Sequence, residues 1–347
     1  MKVVTLKAVA EKAAVARSTA THVLGGRGDE LGIRLETQER VRQAARELRY
    51  QPNYLARGLT GGATQTLGVI WSFAAYHPHM MMRRELAMRL HTRGYQPLMA
   101  DSFNDKERVR RDLDEFRRRG VDGLIIRPSS DLAGDKGIVK EIDRWSRKVV
   151  VADEVSTPLM RQSWPAVVRE VQPAMDELAR HLAATGRRRP GVLISSLGGN
   201  QAKTAAFLAA LESHGLPGSW DQVVSLEGLY EKSQDDHCQM FEEGIGRAGL
   251  DFRRFDALLC NCDEGAAMVL RACEQQGVRV PEDLALIGFN DSPFCKGLSP
   301  RLASIGWENA KTADLVMQLM FSQLEGKTVE GVRESVPLTF QWRESAG

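Results

Sequence analysis

From Leu67 onward, short apolar runs alternate with longer amphipathic stretches. The runs lie at 67–71, 122–126, 148–152, 191–195, 256–260 and 284–289, and helix-like segments fall between them at 82–93, 105–119, 171–185, 200–213 and 263–276. Buried strands alternating with helices predict parallel sheets built from βαβ units. A stretch of about 280 residues is more than one such sheet needs, so two lobes are expected. A last strand is predicted near 332–342. Ligands of open parallel sheets sit beyond the carboxyl ends of the strands, so the residues just after each run are where chemistry is sought.

The first fifty residues follow a different period. Thr5 is an N-cap candidate ahead of Leu6, Val9, Ala10 and Ala13, which give one apolar face to a helix near 6–13. After the link Ala14 to Ala16, the segment Arg17–Leu24 sets Thr19, Ala20, Val23 and Leu24 against polar Arg17, Ser18, Thr21 and His22. Glycines 25, 26, 28 and 32 read as a flexible loop, and Thr37 as the cap of a third helix with Val41, Ala44, Ala45 and Leu48 inward. Tyr50 and Pro52 end it. Two helices joined by a three-residue turn, the second polar on one face, form a helix-turn-helix pattern. Periodicity alone fits any small helical bundle equally well.

Charge separates these regions. The 347 residues are 43% hydrophobic and 27% charged, an ordinary globular composition for two or three domains. Residues 1–60 hold eleven Lys and Arg against six acids, net +5, whereas the other 287 hold 36 against 39, net −3. A basic head on a mildly acidic body is the asymmetry expected when one segment touches a polyanion, although a solvated basic helix surface has the same charge. No apolar run approaches the roughly 18 residues that would span a bilayer, and the start lacks the order of a secretory signal, so a cytoplasmic protein without membrane contact is expected. The five cysteines are an odd set that reads as reduced core thiols.

Catalytic motifs are missing: there is no Gly-x-Ser-x-Gly elbow and no phosphate loop. Cys260 and Cys262 are too close for the usual zinc pair, and His77 and His79 lack a matching second pair. No enzyme, cofactor or metal is expected.

Val4-Thr5-Leu6, Val9-Ala10, Ala13, Val15, Thr19 and Val23 resemble the head of the lactose-repressor and galactose-repressor family of bacterial transcription regulators. The likeness continues through Asn53, Ala56 and Leu59 of that family's hinge helix. It extends along Gly68-Val69-Ile70, Val121 to Ile126, Asp263, Val280 to Leu284, Ile287-Gly288-Phe289 and Pro300-Arg301-Leu302. The resemblance implies an all-α helix-turn-helix head on an α/β body of two parallel-sheet, Rossmann-like lobes of the periplasmic-binding-protein type. The implied divisions are 1–50 for the head, 51–65 for hinge and linker, 66–164 with 298–331 for the N-terminal lobe, and 165–297 with 332–347 for the C-terminal lobe.

The implied function is a repressor that binds a palindromic operator in double-stranded DNA as a homodimer, under control of a small carbohydrate-like effector in the cleft between the lobes. Arg17, Ser18 and His22 fall where the recognition helix meets base edges, and an arginine fork can pair with guanine O6 and N7. Thr5, Ser18 and Thr21 can serve phosphates. The segment Asn53 to Leu59, which contains Ala56 and Gly58, is too short to be a stable lone helix, and Leu59 matches the leucine that wedges into the minor groove. The departures from the family's pattern are Ala8 for a carboxylate, Ala14 for a turn glycine and Ala16 for the capping serine of the recognition helix. The last costs about 0.5 to 2 kcal/mol of helix stability.

The places after strand ends nominate Phe73 with Tyr76, Arg127, Asp153, Lys203, Tyr230, Cys262 with Asp263, and Asn290 with Asp291 as cleft residues. Asp153, Asn290 and Tyr230 supply the mixture of polar groups and aromatic face that a sugar needs. Lys203 replaces the family's arginine, Cys262 its amide and Asn290 its carboxylate, so the pocket is retuned. Arg127 and Lys203 together suit a negatively charged ligand such as a sugar acid or phosphosugar. For each cleft residue the plain alternative is helix capping or a strand-end hydrogen bond, most of all for Asp263 and Asp291. The rival functions are a regulator answering to a protein partner or to no ligand, and a cytoplasmic solute-binding module.

Overall fold

The computed structural model describes residues 4–50, 63–71, 77–101, 105–127, 135–145, 148–155, 163–196, 200–228 and 237–347, with only the backbone described at 153–155. The chain divides into a head ending at Thr64 and a body beginning at Gln65.

In the head, α1 (Leu6–Lys12), α2 (Arg17–Leu24) and α3 (Leu35–Glu47) enclose a core of Val9, Ala10, Ala13, Ala20, Val23, Val41, Ala44 and Ala45. The many alanines let the three short helices approach closely, and Lys12 of α1 pairs with Glu47 of α3 at 2.7 Å. Two expectations change here. The third helix begins at Leu35 with Arg34 as its N-cap, and Thr37 lies inside the first turn, where the Gln38 N–H already bonds back to the Arg34 carbonyl. The glycine-rich loop is also tied down. Gln38, 1% exposed, donates to the Asp29 carboxylate and to the Ile33 carbonyl, both at 2.8 Å, and accepts from Arg42 at 2.9 Å. Gly28 packs so closely on this side chain that a Cβ there would lie 2.5 Å from Gln38 Cδ. Close approach is the reason for that glycine.

The body holds two six-stranded sheets. The first contains β1 (Thr66–Trp71), β2 (Gln96–Asp101), β3 (Gly123–Arg127), β4 (Val149–Val155), β5 (Ala166–Glu170) and β11 (Arg333–Pro337), in the order β11-β5-β4-β3-β1-β2 and wholly parallel. The second contains β6 (Pro190–Ile194), β7 (Val223–Ser225), β8 (Ala257–Cys260), β9 (Ala285–Phe289), β10 (Ala303–Gly306) and β12 (Thr339–Gln341), in the order β12-β10-β9-β8-β6-β7, with only β12 antiparallel. The flanking helices are α4 (His77–Thr92), α5 (Lys106–Arg119), α6 (Lys136–Asp143), α7 (Gln172–Ala184), α8 (Gln201–Ser213), α9 (His237–Ala248), α10 (Asp263–Gln276) and α11 (Asn309–Leu324). Helices on both faces make the central strands continuous apolar runs, which is why β1, β3, β4, β6, β8 and β9 are visible in the sequence. Strands β2 and β7 are sheet edges with little burial, and β10 is four residues with Ile305 its one large side chain, so none of these forms a long run.

Strand pairing moves the points at which the chain changes lobes. β5 belongs to the first sheet and α7 to the core of the second, so the first crossing is at Val171 rather than 165. β10 pairs with β9, and α11 packs on the first sheet, so the second crossing is at Trp307-Glu308 rather than 298. The single strand expected at 332–342 is two strands in two sheets, divided at Leu338. The three crossings are bonded to one another: the Leu338 N–H donates to the Glu170 carbonyl at 3.0 Å, and the Thr339 hydroxyl to the Glu308 carboxylate at 3.3 Å.

Candidate functional site

On α2, Ala20 and Val23 face the head core while Arg17, Ser18 and Thr21 are exposed and His22 is half-buried. Arg17 has no ion-pair or hydrogen-bond partner for its guanidinium among the described residues, so its fork is presented to solvent. The Thr21 hydroxyl is less available than its exposure implies, because it donates to the Arg17 carbonyl at 2.8 Å. Thr5 caps α1 by accepting the Ala8 N–H at 3.4 Å, which leaves its own proton for an acceptor outside the helix. Ala16 occupies the N-cap of α2 without a side-chain bond, as its side chain dictates. Asn53, Ala56 and Leu59 lie outside the described residues.

The turn between α1 and α2 holds Ala14 at φ 52°, in the left-handed region. A Cβ there costs about 1 to 2 kcal/mol, part of which is offset by the smaller entropy of the unfolded alanine chain. Ala14→Gly is therefore expected to raise the stability of the head by up to about 1 kcal/mol, read as a higher denaturant midpoint for its unfolding. No gain, or a loss, would contradict the assigned strain.

In the body, Arg127 ends β3 and Arg169 lies next to the end of β5, so the two flank β4 at its carboxyl end. Lys203 comes from the opposite lobe, in the first turn of α8, with its Nζ 4.4 Å from the centre of the Phe289 ring at the end of β9. Trp307, at the second crossing, packs against the core of the C-terminal lobe and carries the Arg169 guanidinium stacked 3.2 Å from its ring centre. His79 meets the same indole edge-on at 5.0 Å, and its Nδ1 accepts from Trp71 Nε1 at 3.4 Å.

The electrostatics of this group follow from like charges held out of water. Burial pushes Arg127 down to about 10, where it is still cationic at neutral pH, and burial followed by the Arg127 charge pushes Arg169 well below its ordinary value. Lys203 is drawn down to about 8, mainly by burial; the Cys262 thiol opposes the shift, and Arg169 and Arg127 add to it. His79 is held well below the usual imidazole range by burial and then by Arg127, Arg169 and Lys203, so it is neutral and able to accept the indole proton. Arg169, His79 and Trp307 were not among the expected residues. The available signal was the arginine closing the short apolar run 166–168, a repeat of the pattern that nominated Arg127.

The other nominated residues separate by environment. Asn290 follows β9 with φ 113°, its N–H bonded to the Ile305 carbonyl at 2.8 Å and its side chain half-buried. Cys262 is 1% exposed, packs in an apolar cluster and caps α10 by accepting the Gly265 N–H, so it backs the site near Lys203 instead of lining it openly. The cap expected of Asp263 is thus made by Cys262, while Asp263 reaches sideways to Ser292 and Ser304. Asp291 pairs with Arg343, the structural role anticipated for it. Asp153 is placed on β4 by its backbone, and Phe73, Tyr76 and Tyr230 lie outside the described residues. Among the described residues no three His, Cys, Asp or Glu side chains gather as a metal site requires, and no helix is long and apolar enough to cross a membrane.

Comparison with known proteins bears on both parts. Residues 5–53 match the model of the bacterial regulatory proteins, lacI family, and residues 179–346 match a periplasmic binding protein-like domain. The chain carries a lacI-family helix-turn-helix domain and a periplasmic binding protein-like domain. Among its relatives is the HTH-type transcriptional regulator AscG of Escherichia coli K12, 27% identical over 87% of this chain and 86% of that protein. The fold matches the lac repressor dimer bound to operator and the anti-inducer ONPF, with a TM-score of 0.78, 20% identity and 99% of both chains covered. It also matches a transcriptional regulator CelR-cellobiose complex, with a TM-score of 0.67, 22% identity and 99% of both chains covered. Like these relatives, the chain is a DNA-binding transcription regulator and not an enzyme.

Proposed function

We propose that this chain is a repressor that binds a palindromic operator as a homodimer, with α2 in the major groove, and releases or tightens its grip when a small effector enters the cleft between the lobes. The observation that carries the reading is the face of α2: Arg17, Ser18 and Thr21 are exposed on one side of a short helix whose other side is locked into the head core. Arg17 reads guanine, His22 adds a neighbouring base contact, and Ser18, Thr5 and Thr21 hold phosphates, Thr21 only by giving up its bond to the Arg17 carbonyl. Asn53, Ala56 and Leu59 form the hinge, with Leu59 as the minor-groove wedge.

The lac repressor dimer on operator supports the homodimer and the operator, and the cellobiose complex supports a carbohydrate-like effector. Arg127, Lys203 and Asn290 line the cleft in this reading, joined by Arg169 and Trp307, with Asp153, Phe73, Tyr76 and Tyr230 completing it and Cys262 behind. Three crossings bonded together make a hinge about which the lobes change angle, so a ligand that prefers one angle biases the chain leading to the head.

The test is a titration of the full chain with fragments of its own genome at several salt concentrations. Selected fragments should bind, with affinity falling about a thousandfold between 50 and 200 mM salt, as expected for six or more neutralised phosphates. A chain that forms no complex, or one indifferent to salt, is not a DNA-binding repressor.

A further inference from the structure

We propose that Asp122 is a positioning residue for operator binding: its carboxylate fixes the direction in which the chain leaves the body on its way to the DNA-reading helices. The inference rests on the reading of the head as the operator-binding part and adds the group that sets its point of departure.

The body begins at Gln65, one residue before β1. β1 and β3 pair from Leu67 with Gly123 to Trp71 with Arg127. A strand end leaves backbone groups that need partners beyond the last regular pair. Ahead of Gly123, however, the chain turns into the end of α5: Gly120 is left-handed at φ 64°, and the Val121 N–H bonds back to the Phe116 carbonyl at 3.2 Å. Asp122 continues the pairing with a side chain instead. Its carboxylate accepts the Gln65 N–H at 2.8 Å, and its own N–H donates to the Thr66 carbonyl at 2.8 Å. From the other neighbour, the Gln96 N–H donates to the Gln65 carbonyl, also at 2.8 Å.

Both polar groups of the Gln65 backbone are thus held, one from the β2 side and one by Asp122. Gln65 stands at φ 54°, in the left-handed region, which a residue with a Cβ adopts only where its surroundings keep it there. The path of the chain before Gln65 depends on that sharp turn being kept. The Gln96 bond adjoins ordinary β1–β2 pairing, which starts at Thr66 with Gln96. The Asp122 bond is different, since it comes from a side chain 57 residues along the chain. A carboxylate accepts a backbone N–H more strongly than a neutral oxygen does, and Asp122 is half-buried, so water competes less for that N–H.

Operator binding by a dimer asks more of this departure point than random binding does. Two heads must reach two half-sites at one spacing, and a fixed departure raises the effective concentration of the second head at its half-site. Random DNA sets no spacing, and its phosphates are met by the basic head in any register. Asp122 therefore acts on operator affinity through geometry.

The experiment compares the full chain with its Asp122→Ala and Asp122→Asn variants by fluorescence anisotropy on three duplexes. These are an operator selected from genomic fragments, the same operator with one base pair added between its half-sites, and a scrambled sequence. Thermal unfolding of each protein is followed alongside. Asp122→Ala should lose about tenfold on operator, as for one hydrogen bond to a charged group, and should bind the scrambled duplex like the parent. It should also separate the two spacings less sharply than the parent, because a swivelling departure reaches both. Asp122→Asn keeps an acceptor oxygen and should recover most of the affinity and most of the spacing preference.

Unchanged operator affinity in Asp122→Ala would overturn the proposal, and so would equal losses on operator and scrambled duplexes. An alanine variant that melts earlier yet keeps the parent's spacing preference would show a bond that only stabilises, which overturns it as well. A parent that prefers no fragment over the scrambled duplex would overturn the reading of the head and this proposal with it, whereas the other failures, with the parent bound to operator, overturn this proposal alone.

Discussion

Replacing Arg17 by alanine is expected to cut the affinity for the chosen operator by about 5- to 150-fold, corresponding to the roughly 1 to 3 kcal/mol of discrimination in a bidentate arginine–guanine contact. Binding to random DNA should hardly change, because that binding comes from phosphate neutralisation by the whole basic head. The fold of the head should also persist, since Arg17 is exposed and the core of α2 is Ala20 and Val23. Fluorescence anisotropy with operator and scrambled duplexes at one salt concentration reads both numbers. An equal loss on the two duplexes would reduce Arg17 to a phosphate contact. Arg17→Lys sharpens the result: it keeps the charge but not the fork, so it should resemble alanine on operator and the parent on random DNA.

The second large effect concerns Asp263, which is wholly buried. One carboxylate oxygen accepts the Ser292 N–H and the other the Ser304 hydroxyl, both at 2.6 Å, and the Ser304 oxygen in turn accepts the Asp291 N–H at 3.0 Å. This group ties the start of α10 to the turn after β9 and to β10. Gly288 is part of the same fit, since a Cβ there would lie 2.3 Å from the Asp263 carboxylate. Asp263→Ala leaves a buried N–H and a buried hydroxyl without acceptors, and each such loss costs about 1 to 3 kcal/mol. A destabilisation of about 3 kcal/mol or more is expected, seen as a lower denaturant midpoint. A loss under about 1 kcal/mol would mean that water or a shifted side chain replaces the carboxylate.

The same residue predicts a pH dependence. Burial pushes the Asp263 carboxyl up to about 7, against the downward pull of the bonds from Ser304 and Ser292. Between about pH 4 and 7 the folded protein thus keeps a proton that an unfolded aspartate has lost. Its contribution to stability is greatest at the acid end of that window and declines as pH rises towards 7. Asp263→Asn cannot titrate, so the stability of the parent relative to this variant should fall across the window. A difference that stays constant with pH would show that Asp263 is ionised throughout.

Residues within one element were well signalled in advance. The apolar face of α1 and the split character of α2 follow from three- and four-residue spacing, and the central strands from unbroken apolar runs. The missing cap at Ala16 follows from its side chain alone. Gln38 was less legible: a glutamine in a polar helix says nothing of the loop it holds until Asp29 and Ile33 are seen beside it. Cys262 makes the cap expected of Asp263 because a cap depends on which of two adjacent side chains the backbone turns towards the helix, and a residue list does not contain that angle.

By itself the sequence determined the kinds of structure present: a basic three-helix head, two parallel sheets, and cations placed just after strand ends. Such features are local, written in periods of two and 3.6 residues and in charge counts over tens of residues. Only the tertiary structure decided where the chain changes lobes, since Ala166 pairs with Arg333 and Ser304 with Gln341 across long stretches of chain. It also decided that Arg169 stacks on Trp307 and that Lys203 stands over Phe289. Sheet order makes neighbours of residues that no spacing relates, and a contact such as that of Arg169 with Trp307 exists only once the sheets are built.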